Sequence, residues 1–332
     1  MNNPSLQTLT ARLAQATAEQ IPAIAHDFLG DGFAVHTDPL GSWIARRNGG
    51  GTLMLEAHLD EIRMLVTDYA GGGFLRCAAV GRVDLRTLRA ARVSVWGTQR
   101  YDAVFGSVPP HLQKNKQEKL PDVTEILLDT GLSEDRIRSC IPLGSTVTFE
   151  ASAVMLTDDL MTAKALDDRS GCAAVLWAAK QIVQQTSELA FTVQLSNLEE
   201  SGAAAAACGA FAGEIQTCLC VDVSFAKTAG EKDYECGVLG AGPMIGTAPI
   251  LSNRVTDELL TLAQENHIPF QREIMASATG TNADRIAVTR GGIATGLISV
   301  PLRNMHTPVE LVSLSDLQHT ADLLTVFAGR CV

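Results

Sequence analysis

Five residues of types that bind divalent metal ions are spread along the chain: His58 in LEAHLDEI, Asp167 in KALDDRSG, Glu200 in NLEESG, Asp222 in CVDVSF and His306 in LRNMHTPVE. Two histidines and three carboxylates are a donor mix suited to a pair of zinc-like or cobalt-like ions. Asp60 and Glu199 flank two of these positions and are of the type needed for acid–base work. The constellation points to a two-metal hydrolase.

Each residue also has a plainer reading. His58 alone would be an ordinary polar side chain, but a metal-bound imidazole usually gives its other N–H to a carboxylate, and Asp60 has the right offset for that. Asp168, next to Asp167 and before Arg169, is well explained as a helix cap, although a cap does not require the pair. Glu199 and Glu200 could be a solvated acidic loop. The Gly/Ala-rich stretch that follows favours a tight turn into a helix instead, with one acid on a metal and the other facing the attacking water. Asp222 lies in an apolar run where an acid is costly unless paired or metal-bound. His306 has the weakest local signal. His26, His36, His111, His267 and His319 have no such setting. There is no GxSxG elbow, Walker A loop or HExxH, and LGAGPMIG does not fit the GxGxxG spacing.

The elements that must hold these residues follow from periodicity. Apolar spacing predicts a helix over 5–28, interrupted near Pro22 and stopped at Gly30. Strands are predicted over 33–37, 42–46 and 53–57, the last delivering His58 and Asp60. From 66 to 155 the pattern is short β-like runs (74–80, 92–95, 146–150), a polar piece at 109–119 and one short helix in LSEDRIRSC with Ser133 as cap. From 164 onwards helices (169–185, 203–212, 253–266, 282–290, 313–328) alternate with strands (190–196, 218–223, 270–275, 294–300), with Ser252 as a further cap. Alternation of this kind implies an α/β domain with helices on both sheet faces. Sites in such sheets form at the carboxyl ends of strands, where His58, Glu199, Glu200, Asp222 and His306 would converge. Asp167 differs, since it precedes a helix, and a carboxylate there can bridge two cations. The predicted organisation is a catalytic domain of residues 1–65 and 156–332, with an inserted β-rich domain of residues 66–155.

Composition narrows the function classes. The chain has 332 residues, is 46% hydrophobic and carries a formal net charge of -11. With no basic run, neither nucleic acid nor an anionic membrane surface is an expected partner. No signal peptide or membrane-spanning stretch is visible, and the eight cysteines form no CxxC pair, so free thiols in a reducing cytoplasm are expected.

The segments AHLDEI, KALDDRSG, NLEESG, CVDV and LRNMHTPVE, in this order and spacing, resemble the M42 family of metallo-aminopeptidases, which includes glutamyl aminopeptidase, the tetrahedral TET peptidases and members labelled endoglucanase M. VFGSVPPHL, GTNAD and the insertion fit as well, so the resemblance covers nearly the whole chain. It implies a mixed-sheet α/β/α metallopeptidase domain with an inserted small, PDZ-like β-barrel that serves oligomerisation. It also implies two divalent ions (Zn, Co or Mn), short peptides as substrates, and a homo-oligomer, dimer or dodecamer. By the same resemblance, His58 and Asp222 would complete one metal site and Glu200 and His306 the other. Asp167 would bridge them, its bond to Asp168 being cis. Asp60 would orient His58, and Glu199 would be the general base. The sequence departs from the family pattern at Ala205 (usually Gly), Asn282 (usually Asp) and Asn304 (usually Tyr), positions expected near the substrate pocket.

Three rival readings remain. A glycosidase could use paired carboxylates but has no need of two histidines beside them. A two-metal deacylase would act on N-blocked rather than free-amine compounds. A non-catalytic metal-binding homologue would not need Glu199 and Asp60.

Overall fold

Strands β3 (Leu53–His58), β12 (Phe191–Ser196), β13 (Thr217–Phe225) and β16 (Ala294–Leu302) bury almost every residue. Strands buried on both faces are near-continuous apolar runs, and these four pair in parallel as β12-β3-β13-β16. The computed structural model describes residues 5–107, 123–228 and 236–331. Around the four strands an eight-stranded mixed sheet is completed by β1 (Ala34–Thr37), β2 (Trp43–Arg47), β14 (Met244–Thr247) and β15 (Gln271–Ile274), in the order β1-β2-β12-β3-β13-β16-β14-β15.

Helices cover both faces. Leu55, Val193, Leu219 and Ile298 pack against α1 (Leu6–Gln15), α4 (Leu166–Gln185), α6 (Asn253–Glu265) and α8 (Leu314–Gly329). Met54, Cys218, Cys220 and Leu297 face the small residues of α5 (Ala204–Ala212) and the short α7 (Ala283–Ile286). The alternation of these sets along each strand is the period-2 rule of a pleated sheet, and the result is an α/β/α sandwich. Beside it, β10 (Val154–Met155), β11 (Leu160–Ala163) and β17 (Glu310–Ser313) form a three-stranded sheet. By contact this unit comprises residues 1–60, 153–305 and 310–332.

The second unit comprises residues 61–152 with 306–309. Its strands β4 (Arg63–Gly71), β5 (Phe74–Val80), β6 (Arg92–Trp96), β7 (Arg100–Phe105), β8 (Leu128–Asp129) and β9 (Thr146–Phe149) close into an antiparallel barrel. Met64, Leu75, Val93, Phe105 and Val147 fill its interior. The expected helix in LSEDRIRSC is α3 (Glu134–Cys140). The polar piece 109–119 and His111 lie outside the described residues.

The helix expected over 5–28, with a break near Pro22 and a stop at Gly30, is α1 and α2 (Ile21–Leu29), the second capped at Gly30. The break falls just before Pro22, which stands at the start of α2, where its missing N–H costs nothing. Other elements differ from expectation. The helix expected over 282–290 is helical only at α7, and Arg290 with φ 55 turns the chain out. Ser133 and Ser252 precede their helices without a side-chain cap bond, whereas Ser5 and Ser313 make one.

Candidate metal centre

The register of the central strands sets the site. Ser196 pairs with His58 across β12 and β3, Glu56 pairs with Cys220 across β3 and β13, and Asp222 pairs with Ser299 across β13 and β16. Asp222 is two residues beyond Cys220, as His58 is beyond Glu56, so the two lie level at the carboxyl end of the sheet. Asp222 was expected to end its strand; instead β13 continues to Phe225, held by β16.

At this level the side chains converge. His58 Nε2 is 3.0 Å from Asp167 Oδ1 and 3.9 Å from Asp222 Oδ1. His58, Asp168 and Asp222 present one donor atom each within 4.8 Å of one another, and so do Asp167, Glu200 and His306. All five sequence-derived donors therefore fall in two neighbouring groups that also include Asp168. Asp167 and Asp168 are joined by a cis peptide bond and depart from helical geometry at the start of α4. His306 sits at φ 62 in the loop closed by mutual backbone hydrogen bonds of 3.0 Å between Arg303 and Leu311. Among the described residues, His26, His36, His267 and His319 belong to neither group.

Asp60 has more than one partner. Its Oδ1 is 3.5 Å from His58 Nδ1, and its backbone carbonyl oxygen is 3.2 Å from the same nitrogen. The carboxylate also accepts the backbone N–H groups of Glu199 and Glu200, at 3.0 and 3.2 Å. One buried acid thus links the end of β3 to the loop after β12. Asp168 is engaged too: Oδ1 accepts the N–H of Gly171 at 3.0 Å, the expected cap, and Oδ2 accepts the N–H of His58 at 3.4 Å.

The electrostatics follow from burial. Burial raises the Asp222 carboxyl well above its ordinary range, opposed by His58 and reinforced by Asp168 and Asp167. Asp168 is raised by burial in the same way. Burial alone would lower the His58 imidazole, but the bonds to Asp167 and Asp60 and the charge of Asp222 raise it well above its usual value. Buried carboxylates crowded round one imidazole take up protons more readily than ordinary acids. The same surplus of negative charge suits divalent cations, and so does a donor set of imidazole nitrogen and carboxylate oxygen.

Beneath His58 lies a buried polar knot that the sequence reading did not single out. Ser196 Oγ donates to Glu56 Oε1 at 2.6 Å, and Asn282 Nδ2 donates to Glu56 Oε1 and Ser196 Oγ, each at 2.8 Å. Burial pushes the Glu56 carboxyl up to about 7 against these bonds. Asn282 is only 2% exposed and is part of this knot beneath His58, and Ala205 is fully buried. Asn304 is exposed and has φ 58, a conformation asparagine tolerates better than most residues.

Comparison with known proteins gives one consistent picture. A family model described as M42 glutamyl aminopeptidase matches residues 41–323. A protein of Acetivibrio thermocellus named putative aminopeptidase is 34% identical over 297 residues, 87% of this chain and 86% of that one. The structure of an aminopeptidase from the archaeon Desulfurococcus kamchatkensis superposes with a TM-score of 0.90 at 27% identity, covering 98% of this chain and 94% of that one. The Pyrococcus horikoshii TET1 peptidase, described as assembling into a tetrahedron or a large octahedral shell, superposes with a TM-score of 0.85 at 25% identity, covering 98% and 99%.

Proposed function

The chain belongs to the M42 glutamyl aminopeptidase family, and on that premise we propose that it removes residues singly from the free N-terminus of short peptides, with two divalent ions held by His58, Asp167, Glu200, Asp222 and His306. The observation that carries this reading is the convergence of these five side chains into two adjoining donor groups. Asp167 belongs to one group while its Oδ1 is 3.0 Å from His58 Nε2 of the other, which supports a carboxylate shared by two ions. Asp168 fits a ligand role less well, because both its oxygens already accept backbone N–H groups. Zinc, cobalt or manganese suits the donors, and two such ions would polarise the scissile carbonyl and make water acidic enough to attack near neutral pH.

The chain's own residues do the rest. Glu199 takes the proton of the attacking water and passes it to the leaving amine. Asp60 orients His58 and, through the N–H groups of Glu199 and Glu200, holds base and ligand in one frame. We also propose that the protein works in the cytoplasm, in keeping with its eight free cysteines, and that the barrel of residues 61–152 mediates homo-oligomerisation, as the shell assembly described for the Pyrococcus relative suggests.

The experiment is a panel of short peptides, each with a free and an N-acetylated terminus, incubated with Zn²⁺, Co²⁺ or Mn²⁺, with and without a chelator. One-at-a-time release from free termini only, stopped by the chelator, is expected. Light scattering on the same sample is expected to give a multiple of 35.3 kDa. Turnover of the blocked peptides alone, or turnover indifferent to metal removal, would refute the aminopeptidase mechanism.

A further inference from the structure

Glu310 is 1% exposed and belongs to neither donor group. Its Oε2 accepts the backbone N–H of Asp167 at 3.0 Å. That N–H needs a partner outside the helix, because the first amides of a helix have none within it. Asp167 has φ -82 and ψ 104, and the chain reaches it through Ala165 in a left-handed turn at φ 54. Asp167 Oδ1 meets His58 Nε2 at 3.0 Å, and holding the Asp167 backbone fixes the point from which that carboxylate reaches out. Glu310 is built to do so: it opens β17, and its register partner is Ala163, the last residue of β11, four positions before Asp167. It also directly follows the loop that carries His306.

We infer that Glu310 is a positioning residue of the metal centre, fixing the Asp167 carboxylate by accepting its backbone N–H. The inference rests on the metal reading proposed above. Hydrogen bonds from a backbone N–H to a buried carboxylate are among the stronger ones, and removing the acceptor leaves an orphaned donor beside the ligand. Outer-shell partners of this kind set metal affinity by 10–100-fold.

The test uses the full-length zinc-loaded protein and three variants. Zinc stoichiometry and affinity are read by competition with a chromogenic chelator, and melting temperature is read separately. Glu310→Leu removes the acceptor and should weaken one of the two zinc ions about 10–100-fold. Glu310→Gln keeps an acceptor oxygen and should stay within a few-fold of wild type. Should Glu310→Leu fail to fold, Glu310→Asp serves in its place, since it keeps the charge but withdraws the acceptor by one methylene, and it should show the same selective weakening. Unchanged affinity for both ions in the folded acceptor-lacking variant would overturn the inference, as would a Gln variant as weak as Leu or Asp. A wild-type chain that binds no zinc would instead sink the metal reading itself, and the same titration shows this before any variant is made.

Discussion

Glu199 and Glu200 are adjacent acids whose backbones hang from one carboxylate, that of Asp60. Their proposed roles differ, and substitution separates them. Glu199→Gln should keep two ions per chain by elemental analysis while turnover falls about 10²–10⁴-fold; loss of an ion would make Glu199 a ligand. At this scale the sequence was informative where an acid or histidine sat at the end of an apolar strand, because burial makes such a residue costly without a purpose. It was silent where purpose depends on a distant partner. Glu56 reads as one acid in an apolar run, and only its bonds to Ser196 and Asn282 explain its burial. Glu310 reads as a charge after a proline loop, and only β17's pairing with β11 brings it to Asp167.

The long elements were legible because their periodicity is strong: α4, α6, α8 and the buried parallel strands fall close to where apolar spacing puts them. The short ones were not. β10, β11, β14 and β17 have two to four residues each and exist only through their neighbours, which no local pattern encodes. Element-scale energetics give a test at Ala205, fully buried in the first turn of α5. Glycine in a helix costs roughly 0.5–1 kcal/mol relative to alanine. Ala205→Gly should therefore lower the melting temperature slightly and leave kcat and KM unchanged. A variant as stable as wild type would show that the α5 start is not limiting.

For the whole molecule, stability should depend on pH through Asp316 at the head of α8. Burial raises its carboxyl above the ordinary range even though it accepts the N–H groups of Gly240 and Gly242, at 2.8 and 2.7 Å. A raised acid holds its proton in the fold after the unfolded chain has released it. The stabilisation is thus full below about pH 4 and declines as pH rises through the folded value. Asp316→Asn should flatten the fall in melting temperature just above pH ~4; an unaltered slope would acquit Asp316. The sheet order has a further consequence. β2 and β3 are neighbours in sequence, yet β12, almost 150 positions later, lies between them. On a ribosome, β2 and β3 emerge long before the strand that separates them has been translated, and so cannot take their final places. The six strands of the barrel all come from one continuous run of chain, β4 to β9. Translation order therefore favours the barrel, with the chain that builds the eight-stranded sheet waiting, incomplete, beside a finished guest.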